Sequence, residues 1–87
     1  MNGANLNFTN LSKANLSSVA LNGASLVGAD LSETSLYEAN LSGAWLNEAK
    51  GLSAAQLCRA LTLWQTKMDT TLRAEVEKQC PEKLQEP

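Results

Sequence analysis

Ala4-Asn5-Leu6-Asn7-Phe8-Thr9-Asn10-Leu11-Ser12-Lys13-Ala14-Asn15-Leu16 opens a register that decides the fold: leucine stands on every fifth position. The series runs Leu6, Leu11, Leu16, Leu21, Leu26, Leu31, Leu36, Leu41 and Leu46 without interruption. Two residues before each leucine stands a small or β-branched residue: Ala4, Thr9, Ala14, Val19, Ala24, Ala29, Thr34, Ala39 or Ala44. Self-similarity of fixed period marks a solenoid, whose units bury their apolar side only against neighbouring units.

A period of five suits neither common element. On an α-helix successive leucines would fall about 140° apart and smear over the whole surface. In a flat strand they would alternate between faces. One buried side survives only if the backbone turns a corner once per unit, with the leucine and the residue two before it both pointing inward. That is a coil of β-helix type. The other positions are rich in Asn, Ser and Gly, among them Asn5, Asn7, Ser12, Asn15, Gly23, Gly28 and Gly43, residue types that suit corners.

The units Ala4-Asn5-Leu6, Ala14-Asn15-Leu16, Ala29-Asp30-Leu31 and Ala39-Asn40-Leu41 resemble the A(D/N)LXX signature of the pentapeptide-repeat family. The resemblance implies an all-β solenoid with a small α cap, a right-handed quadrilateral β-helix in which four units complete one square turn. Residues 1–50 then make about two and a third coils. Val19-Ala20, Thr34-Ser35 and Ala44-Trp45 depart from the signature mainly at the outward residue.

With four units to a turn, residues twenty apart stack. Lys13 then lies under Glu33, Asp30 under Lys50, Gly23 under Gly43 and Ser12 under Ser32, while the inward columns read Ala4, Ala24, Ala44 and Leu6, Leu26, Leu46.

From Gly51 the fivefold register gives way to a helical one, which divides the chain into a coil, 1–50, and a C-terminal helical cap and tail, 51–87. Ser53 with Gln56 forms a capping box, and Leu57, Leu61, Trp64 and Met68 follow at helical spacing. The pattern predicts helices over 54–66 and 70–79, ending before Pro81, with a frayed tail from Leu84 to Pro87. The stretch Leu63 to Leu72 also resembles the segment that closes many cyanobacterial pentapeptide-repeat proteins, with Thr70 where Pro usually follows the Asp. The helices would lid the open end of the coil, which otherwise shows unpaired backbone and an apolar cross-section. Only Asn2 and Gly3 precede Ala4, so the first turn is expected to meet another chain. Self-association by end-to-end stacking and docking of a separately encoded repeat are both open, as is a place at the carboxy end of a longer coil.

Chemistry is sparse. The chain has no histidine, which removes the commonest general base and metal ligand. Asp30, Glu33, Glu38 and Glu48 lie outward on the coil, and the serines have no base to activate them. The chain is therefore read as non-enzymatic, without metal or cofactor. Cys58 and Cys80 are expected as free thiols, given no signal peptide and a cytoplasmic setting, with a bridge across a helical hairpin as the alternative. No apolar run approaches the roughly 18 residues that span a bilayer.

Two functions remain. The first is a structural or protein-interaction module presenting rigid faces to an unidentified protein partner, with Phe8, Val27 and Trp45 as the partner-binding residues. Their competing roles are structural: Phe8 shielding the amino-terminal edge, Trp45 packing beneath the lid. The second, suggested by the family, is a DNA-mimicking inhibitor of a type II topoisomerase such as DNA gyrase. The coil carries Lys13 and Lys50 against Asp30, Glu33, Glu38 and Glu48, and residues 51–87 balance, which is weak for a mimic. With pI near 4.9 and no basic patch, direct nucleic-acid binding is not expected.

Overall fold

The structure, a computed structural model, describes residues 2–86. Its backbone winds as stacked turns of four five-residue units, joined by parallel bridges. Six of these link residues twenty apart: Asn5 to Ser25, Asn10 to Asp30, Asn15 to Ser35, Ala20 to Asn40, Ser25 to Trp45 and Asp30 to Lys50. Each bridge carries two bonds. The Ser25 N–H donates to the Ala4 carbonyl at 2.8 Å and the Leu6 N–H donates to the Ser25 carbonyl at 2.7 Å, and the pattern recurs at each later bridge of this set. The ladder therefore satisfies backbone groups that a buried coil could not leave unpaired.

Corners follow from the same unit. Each leucine carbonyl accepts the N–H three residues on, as Leu6 does from Thr9 at 3.2 Å and Leu41 from Ala44 at 2.9 Å. The residue two after the leucine has φ near +60°, whether it is Phe8, Lys13, Ser18, Glu33, Glu38 or Glu48. A four-residue turn with positive φ at its third position is type II. The Asn or Asp before the leucine secures the turn's entry. Asn5, Asn10, Asn15, Asp30 and Asn40 each accept, through Oδ1, the backbone N–H two residues on, at 3.0 to 3.1 Å. This Asx bond arches over the leucine and explains why the signature places Asn or Asp there.

Leu21, Leu26, Leu31, Leu36, Leu41 and Leu46 fill the interior with Ala24, Ala29, Ala39 and Ala44. Leu6 and Leu11, in the first turn, are only partly buried. The vertical register is as expected: Gly23 lies under Gly43. The expected charge stacks align by backbone, but the charges do not pair. Among the described residues the one ion pair is Arg73–Glu77, on the surface at 3.7 Å.

The cap departs from expectation. The capping box at Ser53 and Gln56 forms, but its helix, α1, spans Ala54–Leu57 only. From Cys58 the chain returns to the ladder, bridging Asn40 to Thr62 and Trp45 to Lys67 at an offset of 22. The coil thus runs past residue 50, and α1 replaces one side of the third turn, the side above Ser35. The reason is the ladder itself. A helix over 54–66 would leave the Leu41, Gly43 and Leu46 N–H groups without the Thr62, Trp64 and Lys67 carbonyls they now reach. Leu61, expected on the buried stripe, is 58% exposed, because its N–H bonds the Ala39 carbonyl in a bulge that turns the side chain out. Leu63 and Met68, five apart, resume the inward column.

The second helix, α2, spans Thr70–Gln79 as expected. In place of a frayed tail, Pro81–Leu84 forms a 3-10 turn, and the Lys83 carbonyl accepts the Leu63 N–H at 2.8 Å. Pro87, the last residue of the expected tail, lies outside the described residues. Cys58 and Cys80, expected as free thiols, form a disulfide with a Cα–Cα distance of 5.7 Å, which the return of Cys58 to the coil end beneath Cys80 makes possible.

Candidate functional site

Of the surfaces the coil builds, the side formed by Leu6, Leu26, Leu46 and Met68 carries the outward apolar residues. Phe8 sits at its corner in the first turn, and its N–H donates to the Val27 carbonyl at 3.0 Å. The ring lies on Gly28: a Cβ there would come within 2.6 Å of the ring carbons, so only glycine leaves it this seat. Even so Phe8 is 79% exposed. Val27, partly exposed, is held from below as well, its N–H donating to Asn7 Oδ1 at 2.9 Å.

Trp45 stands on the same side one turn further. It does not pack beneath a helix. Lys67, its bridge partner in the turn above, places Nζ 4.7 Å from the ring centroid, a cation–π contact, and Trp45 stays 45% exposed. Lys67 was hidden from sequence reasoning because 54–66 read as helix, which broke the twenty-residue stacking rule just below it. Tyr37 and Leu61 are the other exposed large apolar residues.

Nothing reactive gathers. Among the described residues no group of His, Cys, Asp or Glu is placed to hold a metal ion. Every buried side-chain nitrogen or oxygen described has a hydrogen-bond partner, so no orphaned polar atom points toward a missing ligand. Thr34 and Thr66, buried in alanine columns, each turn Oγ1 to a leucine carbonyl, Leu11 at 2.8 Å and Leu41 at 2.6 Å. Asp30 has a lowered affinity for protons. Its Oδ1 accepts Ser32 Oγ at 2.7 Å and Ser32 N–H at 3.0 Å. These bonds, with a smaller contribution from Lys50, hold its pKa below the ordinary 3.8. That is a turn constraint rather than a catalytic poise.

Open clefts lie among the described residues. One, of about 320 Å³, lies between Glu33, Ser35, Gln56 and Arg59. Another, of about 550 Å³, runs between α1 and α2 along Leu52, Leu72 and Glu75. No described helix is long and apolar enough to cross a membrane.

Repeated five-residue units, Asx-braced type II corners and a parallel ladder define a β-helix kind of protein with small helices at one end. The pentapeptide-repeats family description matches residues 1–26 and 14–50, with eight copies of the repeat. The chain belongs to the pentapeptide-repeat family. Among curated proteins no match to the chain is found.

Proposed function

We propose that the chain is a non-enzymatic interaction module that presents one rigid side of a right-handed, four-sided β-helix to a protein partner. Phe8, Val27 and Trp45 are the contact residues, with Lys67 beside them. One observation carries this reading: two aromatic rings are held out in water on the same side, one seated on a glycine and one under a lysine. Exposed aromatic side chains on a stiff scaffold suit a contact surface, where aromatic anchors carry much of the binding. Capture from a lysate of the source cells tests it. A protein retained by the native chain should be lost with Phe8→Ala/Trp45→Ala while the circular dichroism spectrum is unchanged. Equal retention by the variant refutes the assignment.

The first turn offers a second contact. Among the described residues the N–H and C=O groups of Asn5, Asn10, Asn15 and Ala20 have no backbone partner, an open edge of the kind that pairs with another chain. Self-association there predicts a mass in sedimentation that rises with concentration, and a strict monomer at micromolar protein opposes it.

The gyrase-directed reading is weaker on magnitude. The molecule measures 28 Å in its longest dimension, and duplex DNA of that length bears about 16 charges at one per ~1.7 Å. The chain's net charge is −2. A supercoiling assay showing inhibition at micromolar protein would restore it. The setting proposed is cytoplasmic, and the Cys58–Cys80 bond is the feature that argues for an oxidising one instead. Thiol labelling in freshly lysed cells decides between them.

A further inference from the structure

The cap is attached by remarkably few of its own contacts once its covalent tie is set aside. Of the ten residues of α2 only Val76 is buried, with Leu72 partly so. The cap residue before it, Asp69, makes no side-chain bond to the helix, since its carboxylate instead accepts the Glu48 N–H. A helix of this length falls short of the roughly 12 to 15 residues needed for marginal stability alone. The 3-10 turn adds partly buried Leu84 and the Lys83 carbonyl bonded to Leu63. Beneath the cap lie Leu57, Leu63 and Met68, the last apolar layer of the coil. The disulfide joins the two structures at the decisive place: Cys58 belongs to the chain returning to the coil, Cys80 to the end of α2.

We infer that the Cys58–Cys80 bond is a redox latch, and that its reduction by a dithiol undocks residues 70–84 from the coil end. Cys58 is partly exposed and Cys80 is buried, so attack falls on the Cys58 sulfur. A thiolate of the reductant bonds to Cys58 Sγ and the Cys58–Cys80 bond breaks, its electron pair leaving on Cys80, which takes a proton from water. The reductant's second thiolate then closes onto the first sulfur, releasing Cys58 as a thiolate that is likewise protonated. Two electrons pass from the dithiol, which ends as a disulfide, to the protein, which ends with two thiols. The bond closes a loop with a sequence separation of 22, and opening a loop of this size lowers the ratio of docked to undocked cap by about 300-fold in the chain-entropy description.

Amide hydrogen exchange on the full chain, before and after excess dithiothreitol, tests the latch. Exchange at Val76 and Cys80 should accelerate by about 100-fold or more on reduction, while Leu26 and Leu31 change by less than about threefold. Cys58→Ser/Cys80→Ser should show the reduced pattern without reductant. Unchanged cap protection after reduction, loss of protection in coil and cap together, or two free thiols in air-oxidised protein by mass spectrometry would each overturn the inference.

Discussion

Leu26→Ala separates a packed solenoid interior from a merely apolar surface. The side chain is fully buried between Leu6 below and Leu46 above, and its backbone is bonded on both edges, its N–H to Trp45 and the neighbouring Ser25 N–H to Ala4. Truncation removes about 2.4 kcal/mol of transfer free energy at ~0.8 per carbon. The ladder holds the turns apart, so the void cannot close, and the cavity contribution brings the total to about 3 to 5 kcal/mol. Leu6, in the same column, is only partly buried because nothing among the described residues covers its turn. Leu6→Ala should therefore cost about 1 kcal/mol, without a cavity to maintain. Urea unfolding followed by circular dichroism, at several protein concentrations and with an unchanged slope, reads both. A Leu26→Ala cost under about 1 kcal/mol would refute the interior column. Equal costs at Leu6 and Leu26 would show that another chain covers the first turn in solution.

Gly51 has φ +68°, and a Cβ there would stand 1.9 Å from Ser32 Oγ and 2.9 Å from Ser32 Cα. Gly51→Ala should destabilise by more than about 2 kcal/mol, whereas Gly23→Ala, with φ +67° and open space, should lose only the left-handed penalty of about 1 kcal/mol in the same unfolding assay. Gln56→Ala removes Nε2 bonds to the Leu31 and Thr34 carbonyls and the Oε1 acceptor for the Ser53 N–H. Its cost should be about 1 to 3 kcal/mol by thermal or urea unfolding. The Ser32 bonds favour ionised Asp30, so its contribution is complete above its ordinary pKa of 3.8 and fades as pH falls through the lowered value. Asp30→Asn keeps the Asx acceptor but not the charge, so it should lower stability near pH 7 and flatten the decline in acid, the two proteins converging at low pH. An unaltered acid profile would show that Asp30 does not contribute.

The coil was legible because each unit repeats a complete set of instructions. Leucine and the small residue two before it recur in all nine units, five of which add the Asx brace, and all point to one local geometry. Phe8 and Trp45 could be placed on one side by counting in twenties, since counting holds wherever the ladder is regular. Leu61, Lys67 and the disulfide could not. Leu57, Leu61, Trp64 and Met68 fit a helix, while Leu63 and Met68 fit the fivefold repeat, and periodicity alone does not rank a four-match stripe against a two-match register. The bridge between Cys58 and Cys80 was missed for another reason: a hairpin also brings the two cysteines together, and it was the expected reducing, cytoplasmic setting that favoured free thiols.

What ranks the two patterns is the state of the turn beneath. After Lys50 the second turn has two sides already covered, by Trp45 and Lys50, and the continuing chain meets the remaining two by whatever means its residues allow. On the first of these it uses substitutes. Gln56 Nε2 reaches the Thr34 carbonyl where a third-turn N–H would otherwise come, and the Arg59 carbonyl takes the Glu38 N–H. On the second it resumes the repeat through Thr62, and Lys67 then carries it one side further, over Trp45. The final layer is closed by side chain and 3-10 turn, with Asp69 accepting from Glu48 and Lys83 from Leu63. The third turn takes 22 residues instead of 20 because α1 and the bulge at Leu61 lengthen the path from Lys50 to Thr62. The helical segment is thus less a lid laid on a finished coil than the coil's own last turn, rewritten in the residues available.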